Sequence, residues 1–286
     1  MGRTPVMTTT LRPTEPLQQS ADGGRSRTYD ICVNSRRVGA VHLLTDDAGF
    51  GATMAIIRGL EVDEPDRGRG RGTVAVLAAE EVLRGWGCHE VGISVPADAA
   101  PALSMAESLG YTERSRNMVK DLPEAPPELP EGVEVRPMTP AEFADWEPRA
   151  RENFAQSWID RGVPEEQARA KAEASHRELM PDGLASEGLF MNVAVKDGRI
   201  VGWIWTGVRE LEPGTRGGYV YDIEVAEEWR GHGYGRALML LAERGAVEAG
   251  ERLLGLHVFA GNTPAIRLYE SLGYRTTQVN QSKKLV

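Results

Sequence analysis

The chain has 286 residues, a formal net charge of −9 and two cysteines, a length that admits one large or two ordinary domains, each with its own core. With no basic tract and aromatics at 6% of residues, it lacks the signature of a nucleic-acid binder. Cys32 and Cys88 lie in different expected elements without metal spacing. Together with the absence of a membrane-length apolar run or a signal-peptide core in Met1 to Thr10, this predicts a reduced, cytoplasmic chain with no membrane partner and no metal.

In chain order, residues 1–26 are polar and rich in Pro, Gly, Ser and Thr, the composition of a disordered tail. Tyr29 to Val33 and Arg37 to Leu44 read as a hairpin, and Thr53 to Val62 as a third strand. Thr73 to Arg84 carries helical periodicity, Val91 to Val95 is a strand, Ala99 to Leu109 a helix and Ser115 to Leu122 a last strand. This predicts an α/β unit over 27–122. Residues 123–132 are dominated by Pro and Glu, a semi-stiff extended linker. From Val133 on, a helix capped near Thr139 and a longer one from Pro164 through Met180 come first. Strand Leu189 to Val195 then turns through Asp197-Gly198 into Val201 to Val208, where Trp203 and Trp205 share one face. Those tryptophans fit core packing or the lining of a pocket.

A strand, Tyr219 to Val225, then runs into Arg230-Gly231-His232-Gly233-Tyr234-Gly235-Arg236, and a helix opens behind it. Glycines at alternate positions let successive amides converge on one point at a helix N-terminus, where an anion is favoured. The spacing is neither the dinucleotide fingerprint nor a Walker loop. Downstream, Leu253 to Val258 reads as a strand, followed by Asn262-Thr263-Pro264-Ala265-Ile266-Arg267-Leu268-Tyr269-Glu270-Ser271-Leu272-Gly273-Tyr274. The loop and this block resemble the acetyl-CoA pyrophosphate loop and the C-terminal signature of the GNAT family of N-acetyltransferases, from about Val133 to the C-terminus.

The glycine loop also occurs earlier, as Arg67-Gly68-Arg69-Gly70-Arg71-Gly72. An ungapped offset of 163 residues superposes Gly70 on Gly233, Gly39 on Gly202 and Leu109-Gly110-Tyr111 on Leu272-Gly273-Tyr274, with about twenty identities between Leu60 and Tyr111. The chain is a tandem duplication. The expected fold is therefore α/β, two tandem GNAT folds, each a mixed, mostly antiparallel twisted sheet flanked by helices, with the N-terminal copy truncated. At the shared offset Tyr269 becomes Ala106, Asn262 becomes Ala99, His257 becomes Ser94 and Asp222 becomes Gly59. The first copy also lacks room for the two helices that, in the family, wall the acceptor site. It reads as a degenerate domain, and residues 133–286 as the catalytic one.

What the resemblance implies is a direct attack by an amine on the acetyl-CoA thioester. The oxyanion donor is the backbone N–H near Val225, at the end of the strand that carries Ile223. The pyrophosphate falls to the amides of Gly231, Gly233, Gly235 and Arg236, within a loop that includes His232 and Tyr234, with Arg230 and Arg236 as side-chain partners. Tyr269 aligns with the tyrosine that protonates the leaving thiolate, and Asn262 holds the pantetheine arm or the helix start.

His257 stands where some protein N-terminal acetyltransferases of the family carry a glutamate, and its ordinary pKa of roughly 6.5 suits a base. Asp222 and Glu224 are rival bases on one strand face, opposite Ile223 and Val225. Glu224 has a counterpart in Glu61, which favours Asp222. Tyr219 occupies the position of the catalytic glutamate of histone-type relatives and so departs from that pattern. The resemblance implies acetyl-CoA as cofactor and a primary amine of a small molecule or peptide as acceptor. The alternative is a non-catalytic acyl-CoA sensor or interaction protein with one or two CoA sites. The two domains pack within one chain or between the chains of a homodimer; the residues do not choose.

Overall fold

The computed structural model of the chain describes residues 8–20, 23–45, 54–160 and 163–285. It forms two compact units, residues 1–114 with 279–286, and residues 115–278. Each is a mixed, mostly antiparallel sheet with helices, as the duplication requires.

In the first unit β1 (Thr9–Pro13), β3 (Arg25–Val33), β4 (Arg36–Thr45) and β5 (Met54–Val62) pair antiparallel in that order, and the short β2 (Gln18–Gln19) adds to β3. The β3–β4 turn is two residues long, with Asn34 and Ser35 both at positive φ, the mirror-image turn that matches strand twist. Helix α1 (Arg71–Gly85) leads to β6 (Glu90–Pro96), parallel to β5, and then to α2 (Ala100–Ser108). The inner faces of the sheet and α1 close on Ile31, Val38, Leu43, Ala75, Ala79, Leu83 and Val91.

The expected disordered tail is corrected over Thr9 to Pro13. β1 lies along β3 from Thr9 opposite Val33 to Pro13 opposite Tyr29. An edge strand is held by backbone hydrogen bonds, so it needs few apolar residues; Leu11 alone packs on the core. Thr53, the expected start of the third strand, lies outside the described residues.

The second unit takes in most of β7 (Thr112–Asp121), whose residues from Ser115 to Asp121 pair antiparallel with β12 (Leu253–Phe259). Its order is β8 (Glu134–Pro137), α3 (Pro140–Ile159), α4 (Glu165–Leu179), β9 (Leu189–Lys196), β10 (Arg199–Glu212), β11 (Thr215–Val225), α5 (Tyr234–Glu248), β12, α6 (Thr263–Ser271) and the start of β13 (Arg275–Lys284). Helix α3 begins in a full capping box, Thr139 with Glu142. Arg136 adds a fork to Glu142, holding that carboxyl down at about 2. The β9–β10 turn has Asp197 and Gly198 at positive φ, as the Asp-Gly signal predicts. One face of the sheet packs on α5 through Ile204, Val220, Leu238, Met239, Leu254 and Leu256. Trp205, Met191 and Val193 cluster instead with Trp146 of α3 and with Met180, which follows α4.

The unit boundaries fall at 114/115 and 278/279, and not at the 122 and 133 expected from composition. The segment 123–132 contains no helix or strand, and it is tied to α5 where Arg244 donates to the Pro127 carbonyl at 2.9 Å. The reason for the shifted boundaries is an exchange of final strands. In the first unit Lys283 Nζ lies 2.9 Å from Glu80, which is 1% exposed, and Tyr111 donates to the same carboxylate at 3.0 Å. In the second, Lys120 Nζ lies 2.7 Å from Glu243, also 1% exposed. Lys120 and Lys283 occupy equivalent repeat positions, as do Glu80 and Glu243. Each buried glutamate is thus neutralised by the last strand of the other sequence repeat.

Removing one partner of a buried pair leaves an uncompensated charge, which costs on the order of 3 kcal/mol. Lys283→Met is expected to lower the urea midpoint accordingly, and adding Glu80→Leu to recover most of the loss. A single variant as stable as the wild type would remove this role.

Candidate active site

The site begins where two parallel strands part. β11 and β12 pair only from Gly218 with Leu254 to Val220 with Leu256, while β11 runs on to Val225 and β12 to Phe259. Across β10 the register slips between Trp205 and Thr206, so Tyr221 is left as the extra residue of a bulge. The Ala226 N–H donates to the Val201 carbonyl across this pair at 2.9 Å. Strand N–H groups alternate in direction, so that of Val225 points away from β10, toward the parted edge. Gly202 permits the close approach of β10 here: a Cβ on it would lie 2.6 Å from the Glu224 carbonyl oxygen.

The glycine loop follows. Gly231 and Gly233 have φ of +79° and +88°, with open space where a side chain would project. Gly233 is the N-cap of α5, and Ala237 is the first residue to donate back, to Gly233 at 3.0 Å. The amides of Tyr234, Gly235 and Arg236 therefore have no acceptor within the helix. The side chains of the loop make contacts within the protein. Arg230 Nε donates to the Val225 carbonyl at 3.0 Å, His232 Nδ1 lies 2.9 Å from the Arg230 carbonyl, and Arg236 reaches Ser271 Oγ at 2.6 Å. Tyr234 is buried in the core, which leaves its backbone N–H facing the loop. Open space in front of two left-handed glycines and three unpaired helix amides fits a pyrophosphate.

Two acids lie on the sheet face away from α5, and the tyrosine of α6 lies in the α5-side core. Ile223 and Val225 pack toward α5, so Asp222 and Glu224 face the other way, in register with Trp205 and Trp203. Trp203 Nε1 donates to Asp222 Oδ2 at 2.9 Å. Burial pushes the Asp222 carboxyl up, against the opposing Trp203 bond, the Ile223 N–H and the charge of His176. Glu224 is raised by burial and then by Asp222. Tyr269, 5% exposed on α6, is pushed up to about 12 by burial and by the charge of Asp222. Asp222 is therefore within electrostatic reach of both Tyr269 and His176.

His257 is exposed on β12 opposite Asn117, its Nδ1 2.9 Å from Asn117 Oδ1. It faces the same side of the sheet as Glu224. Asn262 caps α6, its Oδ1 accepting from the Ala265 N–H at 3.3 Å. This is the helix-start role of the two expected for it. The one group not anticipated from sequence is His176 of α4. Its helix was expected, but helical spacing alone does not tell which polar residue turns inward.

The first unit repeats the scaffold without these groups. Arg67 Nε donates to the Val62 carbonyl at 2.7 Å, and Gly68 and Gly70 have φ of +71° and +73°. The counterpart of Tyr234 is Arg71, buried and ion-paired with Asp66, which also receives Arg36 at 2.8 Å.

The model of the acetyltransferase (GNAT) family matches residues 5–111 and again 143–274. The chain belongs to the GNAT acetyltransferase family. It is similar to an uncharacterized N-acetyltransferase, YdgE, of Bacillus subtilis, at 34% identity over 52% of this chain and 95% of that protein. It is also similar to the mycothiol acetyltransferase of Nocardiopsis dassonvillei, at 32% identity over 90% of this chain and 81% of that protein. Among solved structures, a GNAT from Sphaerobacter thermophilus covers 90% of this chain, with 80% of its own length matched, at TM-score 0.60 and 23% identity. A tandem GNAT protein from the clavulanic acid pathway covers 94%, with 85% of its own length matched, at TM-score 0.52 and 20% identity. The last two share this chain's fold, and the family match in two regions makes it a tandem GNAT fold.

Because the Trp203 bond favours the ionised carboxylate, Trp203→Phe is expected to raise the Asp222 pKa further. Carboxyl 13C NMR titration of the full chain reads it directly. An unchanged or lower value would break the link between Trp203 and Asp222.

Proposed function

We propose that the second unit transfers an acetyl group from acetyl-CoA to a primary amine of a small molecule or peptide, in the cytoplasm, and that the first unit carries no reaction. The observation that carries this reading is the convergence, in one unit, of unpaired loop amides, an outward Val225 N–H, and Asp222 within reach of a buried Tyr269. Bound acetyl-CoA supplies an acyl group activated as a thioester. The Tyr234, Gly235 and Arg236 amides hold its pyrophosphate at the helix N-terminus. The Val225 N–H donates to the acyl oxygen as negative charge builds there, a preorganised contact that water would have to reorient to make. A phenol with a pKa of about 12 stays protonated at neutral pH, so Tyr269 holds a proton for the departing sulfur. Asp222 offers a carboxylate to the incoming amine. The likeness to mycothiol acetyltransferases extends over most of their length, yet no residue pattern in this chain points to that acceptor above other amines.

Calorimetric titration with acetyl-CoA is expected to give one site per chain, lost in Gly233→Glu, where a Cβ at positive φ and a negative charge both oppose the anion. Two sites, one surviving that substitution, would instead favour an acyl-CoA sensor that uses both glycine loops.

Tyr269→Phe keeps the ring and removes the proton. Its turnover should fall by roughly 10²-fold with CoA affinity nearly unchanged, and a fully active variant would take the proton donor away from Tyr269.

A further inference from the structure

His176 is 8% exposed, and its Nδ1 lies 3.0 Å from the Ala172 carbonyl one helical turn back. A carbonyl only accepts, so Nδ1 carries the proton and Nε2 presents a lone pair. That Nε2 is buried without a hydrogen-bond partner, an arrangement that costs free energy unless something visits it. The ring lies 5.9 Å from Trp205, whose own ring stacks on Tyr221 at 4.8 Å, and Trp205 is the residue in register with Asp222. The groups that bear on the imidazole are Glu147 and Arg151 of α3 and Asp222 of β11. Burial, the largest influence, holds it below the ordinary histidine value, so it is a neutral acceptor at pH 7. Among the described residues the first unit has no helix equivalent to α4.

We propose that the acceptor amine is seated between the Asp222 carboxylate and His176, and that His176 Nε2 takes the proton the amine nitrogen loses on attack. The inference rests on the acetyltransferase reading of the second unit and supplies the base that the reading leaves open. As the N–C bond forms, the nitrogen's proton moves to Nε2 and gives an imidazolium beside Asp222. The electrons of the C–S bond leave with sulfur, which takes the phenolic proton of Tyr269. Proton exchange with water then restores neutral His176 and neutral Tyr269. The net change is one amide and one thiol for one amine and one thioester. The charge of Asp222 bears on both proton-handling groups, Tyr269 and His176.

The test uses the full chain and His176→Gln, with tyramine, glucosamine and glycinamide as acceptor probes, thiol release from acetyl-CoA as the rate and calorimetry for CoA binding. Wild-type amine-dependent release should fall as pH drops through the lowered histidine pKa, because only the neutral ring accepts a proton. His176→Gln should keep CoA affinity, lose roughly 10²-fold in amine-dependent kcat/KM and lose that acid limb. A variant with the wild-type rate and the same limb overturns the proposal. If the wild type acetylates none of the probes, the acetyltransferase reading fails separately, and 15N NMR of the imidazole, assigned by the glutamine variant, still decides on His176. An unprotonated Nε2 at pH 7 supports it as the acceptor, and a protonated one overturns it.

Discussion

A buried carboxylate is costly without a partner, and among the described residues two glutamates are buried to 1% exposure, Glu80 and Glu243. Each is met by a lysine from the last strand of the other repeat, Lys283 and Lys120. The attraction is strong because the surroundings are dry, and so is the penalty for breaking it. Neither unit is therefore made from one contiguous repeat. The first takes in residues 279–286 and the second the part of β7 from Ser115 onward. Because α1 and α5 carry those glutamates, the same pairs fix the helices whose N-termini bear the glycine loops.

From that anchored helix the site follows by backbone geometry. Pairing between β11 and β12 stops after Val220 and Leu256, and the edge that would have been satisfied by a neighbour becomes available to a ligand. The bulge at Tyr221 changes which side chains face where, so that Asp222 and Glu224 both leave the core face. Burial then does the chemical tuning. It raises Asp222 and Tyr269 and lowers His176, so that near neutral pH the phenol keeps its proton and the imidazole its lone pair.

Much of this was legible in the residues. The glycine loop, the Asp-Gly turn, the capping box at Thr139 and the 163-residue offset are local patterns whose physics needs no partner. What escaped were features set by distant contacts. β1 has only Leu11 to mark it as a strand, because backbone pairing to β3 does the rest. The strand exchange leaves no periodicity, only a lysine at the same place in both repeats. Nor does the sequence show that Arg230 meets the Val225 carbonyl and Arg236 the Ser271 hydroxyl. His176 looked like one polar residue among many on an amphipathic helix.

The persistence of Arg67, Gly68, Gly70 and Gly72 in a repeat stripped of Tyr269, Asn262, His257 and Asp222 would, from sequence alone, argue for a retained nucleotide. The structure gives a reason that needs no ligand. Arg67 closes the end of β5 by donating to the Val62 carbonyl, as Arg230 does at Val225. The Asp63 N–H donates to the Val38 carbonyl, as Ala226 does to Val201. Gly68 and Gly70, like Gly231 and Gly233, stand at positive φ, where another residue would be strained. Strand end, turn and helix start are therefore held by the same hydrogen bonds in both units, whatever the loop binds. In the first unit the position facing that joint has gone from Tyr234 to an Arg71–Asp66–Arg36 cluster, so the cationic groups there are already committed to a carboxylate of the chain itself.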